Sequence, residues 1–193
     1  MKIIAATQNK GKLAEFYALF KEYDMELISQ AEAGFGEIDI DENGTTCEDN
    51  SKIKAEAIFR ISGEAVIADD SGLFVDALGG EPGVNSARYA GVHGDDAANR
   101  KKLLEKMKDV PFEARTAHFV TVITFIYPDG KVIQARGECH GHIANEELGD
   151  RGFGYDSVFI PLESDKTFAQ LPAEYKNQVS HRARALQKLR QLL

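Results

Sequence analysis

The stretch AVIADDSGLFVDALGGEPG, residues 65–83, decides the fold and carries the most informative side chains. An apolar run over 65–68 leads into two adjacent carboxylates, Asp69 and Asp70, and then into a Ser-Gly pair. The run predicts a buried β-strand, and the Ser-Gly pair predicts a turn at its end. Carboxylates at the end of a buried strand are typical of sites that handle metals, water or phosphates. We therefore expect the catalytic centre here.

Composition limits the protein classes before any motif is used. The chain has 193 residues, of which 43% are hydrophobic and 28% charged, so it can bury its own core as one domain over residues 1–193. A formal net charge of −8 argues against a nucleic acid polymer as ligand, because phosphates along a polymer are normally neutralised by a broad basic surface. A small anion that carries a divalent cation is compatible with this charge.

The two cysteines and the chain start indicate the compartment. Cys47 and Cys139 have neither metal-ligand spacing nor the density of a secreted disulfide framework, so we expect reduced thiols. The start MKIIAATQNK has too short an apolar run for a signal peptide, and no stretch is long enough for a transmembrane helix. The sequence thus predicts a cytoplasmic protein that does not contact a membrane.

A strand, a polar loop and a helix open the chain. Residues 2–6 are rich in β-formers, and a helical apolar stripe includes Leu13, Phe16 and Phe20. A helix N-terminus attracts anions, since its first amides lack partners. A helix capped by asparagine, with solvated lysines, is the alternative, because the loop lacks the spacing of a Walker motif. The loop residues are Thr7, Gln8, Asn9, Lys10, Gly11 and Lys12.

An acidic loop, residues 39–44, precedes a second predicted helix over 48–61. Asp41 and Glu42 could lend oxygen ligands to a hard cation, although acidic loops are usually solvated turns. Lys54 would face whatever lies at the start of this helix. Further predicted elements are a helix over 95–108, strands over 117–127 and 132–139, and a final helix after Ser180.

Two segments near the C-terminus suit an aromatic, anionic ligand. The loop 150–156 holds two glycines and two aromatics, so its backbone can approach a ligand and a ring can stack on a purine base. His181 and Arg182 lie in the first turn of the last helix, where cations oppose the helix dipole. Their position indicates an external anion, unless it arose by chance.

Five blocks carry a resemblance. TQNKGK at 7–12, ADDSGL at 68–73, LGGEPGVNSARYAG at 78–91, GFGYD at 152–156 and KNQVSHRARAL at 176–186 follow one another in the order of a known family. Together they resemble the inosine triphosphate pyrophosphatase family. The chain departs from the family pattern at Cys47, where an aromatic is usual, and at Ser157, where proline is common.

The resemblance implies a two-lobed α/β fold with a long mixed β-sheet flanked by helices, a cleft between the lobes, and a homodimer. It also implies Mg²⁺-dependent hydrolysis of the non-canonical purine nucleoside triphosphates ITP, dITP and XTP. The products are the nucleoside monophosphate and pyrophosphate, and Mn²⁺ is a possible alternative ion. Hydrogen-bond donors in the site would pair with the 6-keto oxygen of these purines. The amino group of adenine cannot accept those hydrogen bonds.

The resemblance also implies roles for single residues. Asp70 matches the proton acceptor for water and a metal ligand, with Asp69 and either Asp41 or Glu42 completing the metal site. Ser71 matches a substrate contact, and the loop 7–12 matches the phosphate-binding loop. Lys54 and Lys176 match lysines that point at the triphosphate. The residues that match the base pocket are Phe153, Gly154, Tyr155, Asp156, His181 and Arg182.

Three other protein classes compete with this interpretation. A nucleotide-binding module without catalysis would keep the phosphate and base contacts but would need no paired carboxylates. An aspartic protease needs two DSG carboxylates that share a proton, so the single DSG at Asp70 would require a dimer. Phosphotransfer through an aspartyl-phosphate expects an alternating DxD pattern instead of DDSG.

Overall fold

Strands and helices alternate along the part of the chain that the computed structural model describes, which is residues 2–21, 25–36, 38 and 40–193. The strands are β1 (Lys2–Ala5), β2 (Glu26–Ser29), β3 (Ala65–Val75), β4 (Pro82–Gly83), β5 (Thr116–Ile126), β6 (Val132–Ile143) and β7 (Phe159–Pro161). The helices are α1 (Lys10–Phe20), α2 (Cys47–Ser62), α3 (Asp96–Met107), α4 (Ala173–Val179) and α5 (His181–Leu192).

The described strands form a mixed sheet. Its order is β2-β1-β3-β5-β6-β7, and β4 pairs with β3. β1 is parallel to both β2 and β3, whereas β4 is antiparallel to β3 and β7 is antiparallel to β6. The predicted α/β class with a mixed sheet flanked by helices is confirmed. No helix in the described ranges has both the length and the apolar character needed to cross a bilayer.

The chain divides into two compact units. The first comprises the described residues of Met1–Asp70, Thr121–Gly137 and Arg182–Leu193, and the second comprises Ser71–Val120 and Glu138–His181. Each unit has its own hydrophobic core.

Helices cover both sheet faces of the first unit. Successive side chains of a strand point to opposite faces, so an uninterrupted apolar strand must be covered twice. One face packs on α1 and α5 through Phe16 and Leu189, and the other packs on α2 through Ile58. The strands supply Ile3, Ala5, Ala65 and Ile67 to the first face and Ile4, Val66 and Ala68 to the second, where Ala6, just after β1, also packs.

The second unit buries mainly one sheet face. Leu73, Phe119 and Cys139 pack with Leu103 and Met107 of α3. On another stretch of this unit, the rings of Phe74, His118 and His140 form a stacked row with centroids 5.3 to 5.4 Å apart. His140 is exposed and the other two rings are half-buried.

The predicted turn after Asp70 is wrong, because β3 continues through Ser71 and Gly72 to Val75. The reason is the close approach of β4. A Cβ atom on Gly72 would lie 2.6 Å from the carbonyl oxygen of Gly83, so only glycine lets the two strands pair here. The two carboxylates therefore lie inside a strand and not at its end.

Other predicted elements agree with the structure to within one to four residues at their ends. Thr46 caps α2 and its hydroxyl accepts a hydrogen bond from the Asp49 amide at 3.1 Å. The short helix α4 was not predicted, because its seven residues contain no apolar stripe. Ser180 separates α4 from α5.

A buried arginine joins several segments of the second unit. Arg115 is 2% exposed. Its guanidinium donates hydrogen bonds to the carbonyl oxygens of Met107, Val110, Ile143 and Ala144 at 2.6 to 3.2 Å. Met107 ends α3, so the cation also lies at the negative end of that helix dipole.

We expect Arg115→Met to lower the free energy of unfolding by at least about 3 kcal/mol, because several buried carbonyls lose their donor. Urea denaturation followed by circular dichroism measures the change. Arg60→Met is the matched control, since the Arg60 side chain is 76% exposed. The control should stay within about 0.5 kcal/mol of the parent protein. An equal loss in both variants would contradict the role of Arg115.

Candidate active site

Asp69 and Asp70 lie on opposite faces of β3. Ala65 and Ile67 pack with α1 and α5, and Asp69 continues that alternate set. Val66 and Ala68 pack with α2, and Asp70 continues the other set. The two neighbouring carboxylates consequently meet different helices and different cations.

Asp69 is paired with two cations from the helices on its face. Its Oδ2 lies 3.1 Å from Nζ of Lys12 and accepts hydrogen bonds from Nε and Nη2 of Arg182 at 3.2 and 3.0 Å. Burial raises the pKa of the Asp69 carboxyl, but Lys12 and Arg182 lower it more, so the net pKa is well below its ordinary value. Asp69 is therefore a permanent anion.

Arg182 also contacts Glu15 of α1 through Nη1. It is 1% exposed, and although burial lowers its pKa, Glu15 and Asp69 raise it more. The sequence predicted that an anion from outside the chain would pair with Arg182. The structure instead pairs Arg182 with two carboxylates of the chain itself, Glu15 and Asp69. Glu15 was missed by the sequence analysis, although it lies three residues after Lys12 and hence on the same side of α1.

Lys54 joins two carboxylates on the other face. Its Nζ lies 2.9 Å from Oε2 of Glu42 and 3.2 Å from Oδ1 of Asp70. Burial lowers the pKa of Lys54, but Asp70 and Glu42 raise it more, so the net pKa is raised. Oδ2 of Asp70 is buried and has no hydrogen-bond partner in the described part of the chain. Asp70 thus retains a carboxylate oxygen that can accept a proton or bind a cation.

Cys47 lies at the start of α2 and is buried. Burial raises the pKa of its thiol, and the nearby Asp70 carboxylate raises it further. The thiol stays protonated at neutral pH, and an unreactive thiol agrees with the expected reduced state. Cys47 and Cys139 do not form a disulfide bond.

The loop before α1 has the geometry of an asparagine cap. Oδ1 of Asn9 accepts from the Lys12 amide at 3.0 Å, and Oγ1 of Thr7 accepts from the Asn9 amide at 3.2 Å. Gln8 and Lys10 are exposed, and Gly11 lies in the first turn. The asparagine cap of the alternative is therefore present, but Lys12 is directed at Asp69 and is not solvated.

Of the four predicted metal ligands, the structure brings only Asp70 and Glu42 together. Asp69 and Asp70 meet different cations, Glu42 shares Lys54 with Asp70, and the exposed Asp41 accepts from Asn43 at 3.3 Å. No three His, Cys, Asp or Glu side chains group into a metal site among the residues described. Asp39, in the same acidic loop, lies outside the described residues.

In the second unit, the loop 152–156 folds around one carboxylate. Oδ2 of Asp156 accepts from the Phe153 amide at 3.0 Å and from Nζ of Lys176 at 2.6 Å. Gly152 has a φ of +75°, and a Cβ atom there would lie 2.1 Å from Oδ2 of Asp156. Lys176 also lies 4.5 Å from the centre of the Phe153 ring. Lys176, predicted to point at the triphosphate, contacts the loop 152–156, which is predicted to bind the base.

Tyr155, His181 and Ser71 are also predicted to bind the substrate. The hydroxyl of Tyr155 donates to the Ser86 carbonyl at 2.8 Å, and burial raises the pKa of Tyr155. The ring of His181 stacks on Phe119 with centroids 4.5 Å apart. Ser71 follows Asp70 in β3 and is half-buried.

Comparison with known proteins places these residues in a family. Residues 3–192 match the model of the Ham1 family. The dITP/XTP pyrophosphatase of Oceanobacillus iheyensis is 47% identical over 192 residues, which cover 100% of this chain and 98% of the relative. The dITP/XTP pyrophosphatase of Bacillus subtilis is 46% identical over 190 residues, covering 98% and 96%.

A solved structure agrees with these sequence matches. The Ham1 protein of Staphylococcus aureus superposes with a TM-score of 0.87 at 42% identity, covering 100% of this chain and 97% of that chain. The resemblance to the inosine triphosphate pyrophosphatase family is confirmed by the names of the relatives. This chain belongs to the Ham1 family.

Proposed function

We propose that this protein is an enzyme that hydrolyses the non-canonical purine nucleoside triphosphates ITP, dITP and XTP to the monophosphate and pyrophosphate. The reaction would remove these nucleotides from the cellular pool. The observation that carries the proposal is Asp70, whose Oδ1 is held by Lys54 while its buried Oδ2 has no hydrogen-bond partner among the residues described. The names of the relatives, dITP/XTP pyrophosphatase, support the substrate class.

The triphosphate is assigned to the first unit. Lys12 is 16% exposed at its side chain and lies in the first turn of α1, where unpaired amides favour anions. The loop 7–12 and Lys54 provide further donors. Fixed cations of this kind stabilise charge that builds up on phosphoryl oxygens during attack by water.

A divalent cation fits the charge balance. The carboxylates of Glu15, Glu42, Asp69 and Asp70 face the cations Lys12, Lys54 and Arg182, so four negative groups meet three positive ones. A triphosphate adds more negative charge, which requires a further cation. Glu42, together with Asp70, would hold it, since hard cations prefer carboxylate oxygens. Mg²⁺, or Mn²⁺, would neutralise the triphosphate and polarise the phosphorus under attack.

Asp70 accepts the proton of the attacking water. Lys54 orients the carboxylate through Oδ1, and Oδ2 receives the proton as the water oxygen bonds to the α-phosphorus. The bond between the α-phosphorus and its bridging oxygen breaks, and pyrophosphate leaves. Asp69 acts differently, because its pairing with Lys12 and Arg182 makes it the residue that positions those two cations.

The base is assigned to the second unit. Phe153 provides a stacking face, and the amides of the loop and His181 are the candidate donors for the 6-keto oxygen. Arg182 stays a predicted base contact, although its described contacts are to carboxylates of the first unit. The homodimer and the cytoplasmic location stay predictions.

The nucleotide preference tests the proposed reaction. With Mg²⁺, we expect kcat/KM for ITP and XTP to exceed that for ATP at least about 100-fold, because the amino group of adenine leaves the 6-keto donors unpaired. Product analysis should find pyrophosphate, and EDTA should stop the reaction until Mg²⁺ is restored. Orthophosphate as product, or turnover without a divalent cation, would reject the proposed reaction.

Asp70→Asn should lower kcat at least about 100-fold, because the amide cannot take the proton from water. The dissociation constant for ITP, measured by calorimetry in Ca²⁺, should change less than about threefold, since Asn keeps the shape of the side chain. Asp129→Asn removes the same charge from an exposed turn and is the matched control. Near-normal kcat in Asp70→Asn would show that Asp70 is not the acceptor of the proton from water.

Lys12→Gln should weaken ITP binding about tenfold while changing the affinity for inosine monophosphate much less, because the lost charge is assigned to the outer phosphates. The same calorimetric titrations measure both constants. Lys52→Gln, at an exposed position of α2, is the control. Equal losses for the two nucleotides would remove Lys12 from the triphosphate site.

A further inference from the structure

Residues 152–156, called the base loop below, donate hydrogen bonds to and accept them from side chains in the first two turns of α3. Asp96 begins this helix and Arg100 follows one turn later, so the two side chains lie on the same side of α3. Asp95 caps the helix, with its Oδ1 accepting from the Ala98 amide at 3.0 Å. Asp96 and Arg100 are thus available for contacts outside their own helix.

Both contacts go to one residue, Gly154. Its amide donates to Oδ2 of Asp96 at 2.8 Å, and its carbonyl oxygen accepts from Nη1 of Arg100 at 2.8 Å. Gly154 has a φ of +61°, and because glycine adopts many backbone conformations at similar cost, its own backbone does not fix this one. Two charge-assisted hydrogen bonds to the same residue fix the position and the orientation of its backbone.

Arg100 is itself oriented by the segment that surrounds the loop. Its Nε donates to Oε2 of Glu147 at 2.8 Å, and the hydroxyl of Ser157 donates to the same carboxylate at 3.2 Å. The Arg100 side chain is only 19% exposed. Ser157, a departure from the family pattern, is therefore part of this support.

The supported residue lies between the groups assigned to the base. Phe153, which precedes Gly154, lies under Lys176, and its amide donates to Asp156. A shift of the Gly154 backbone would move the Phe153 ring and reorient the loop amides. Shifts of about 1 Å at a positioning group are enough to lose a large part of its effect.

We propose that Asp96 and Arg100 are positioning residues that set the base loop for purine recognition. This inference rests on the proposed function, and it names residues that act through Gly154 without touching the substrate. They influence binding of the nucleoside, while binding of the phosphates is independent of them.

Asp96→Ala and Arg100→Met test the inference. Both should raise KM for ITP about tenfold with kcat within about threefold, since each removes one charge-assisted hydrogen bond to the loop. Calorimetry should show about tenfold weaker binding of inosine monophosphate and unchanged binding of pyrophosphate with Mg²⁺. Asp96→Asn keeps an acceptor for the Gly154 amide and should restore nearly normal values.

Asp95→Ala is the matched control, because it weakens the same helix by removing its cap but does not touch the loop. The inference is overturned if this control raises KM as much as the test variants, or if pyrophosphate binding falls together with monophosphate binding. Failure of the parent protein to hydrolyse ITP would instead reject the proposed function. Hydrolysis of ITP with unchanged variants would reject the positioning role alone.

Discussion

Alternation along β3 is the constraint on which the candidate site depends. Because Asp69 and Asp70 are adjacent in an extended strand, their side chains leave the sheet on opposite faces. One face meets α1 and α5, and the other meets α2. Two identical carboxylates thereby acquire different partners: Asp69 pairs with Lys12 and Arg182, and Asp70 pairs with Lys54.

The ion pairs around Asp69 explain how two unfavourable helix starts are tolerated. Lys12 and Arg182 each lie in the first turn of a helix, where a positive side chain opposes the dipole. Asp69 is the anion that both side chains share. Removing one partner from a buried pair of this kind typically costs about 3–5 kcal/mol, because the other charge stays buried. The same arrangement that stabilises the first unit therefore holds Lys12 in place.

In the first unit, ion pairs between side chains fix the candidate site. In the second unit, hydrogen bonds between charged side chains and the backbone have this function. Arg115 and Arg100 both donate to main-chain carbonyls, and Asp96 and Asp156 both accept from main-chain amides. The main chain of the loop 152–156, which we propose holds the base, is thus fixed by charged side chains.

The sequence by itself determined the α/β class and most helix ends, because apolar periodicity and caps are local signals. Thr46 and Asn9 were readable as caps for this reason. Only the tertiary structure decided that β3 passes through Gly72, since the cause is the approach of Gly83 from another strand. It also decided that Arg182 pairs with Asp69 and Glu15, and that α3 holds Gly154. These contacts join residues 58 to 167 positions apart, and no local pattern specifies which distant partner a charged side chain will meet.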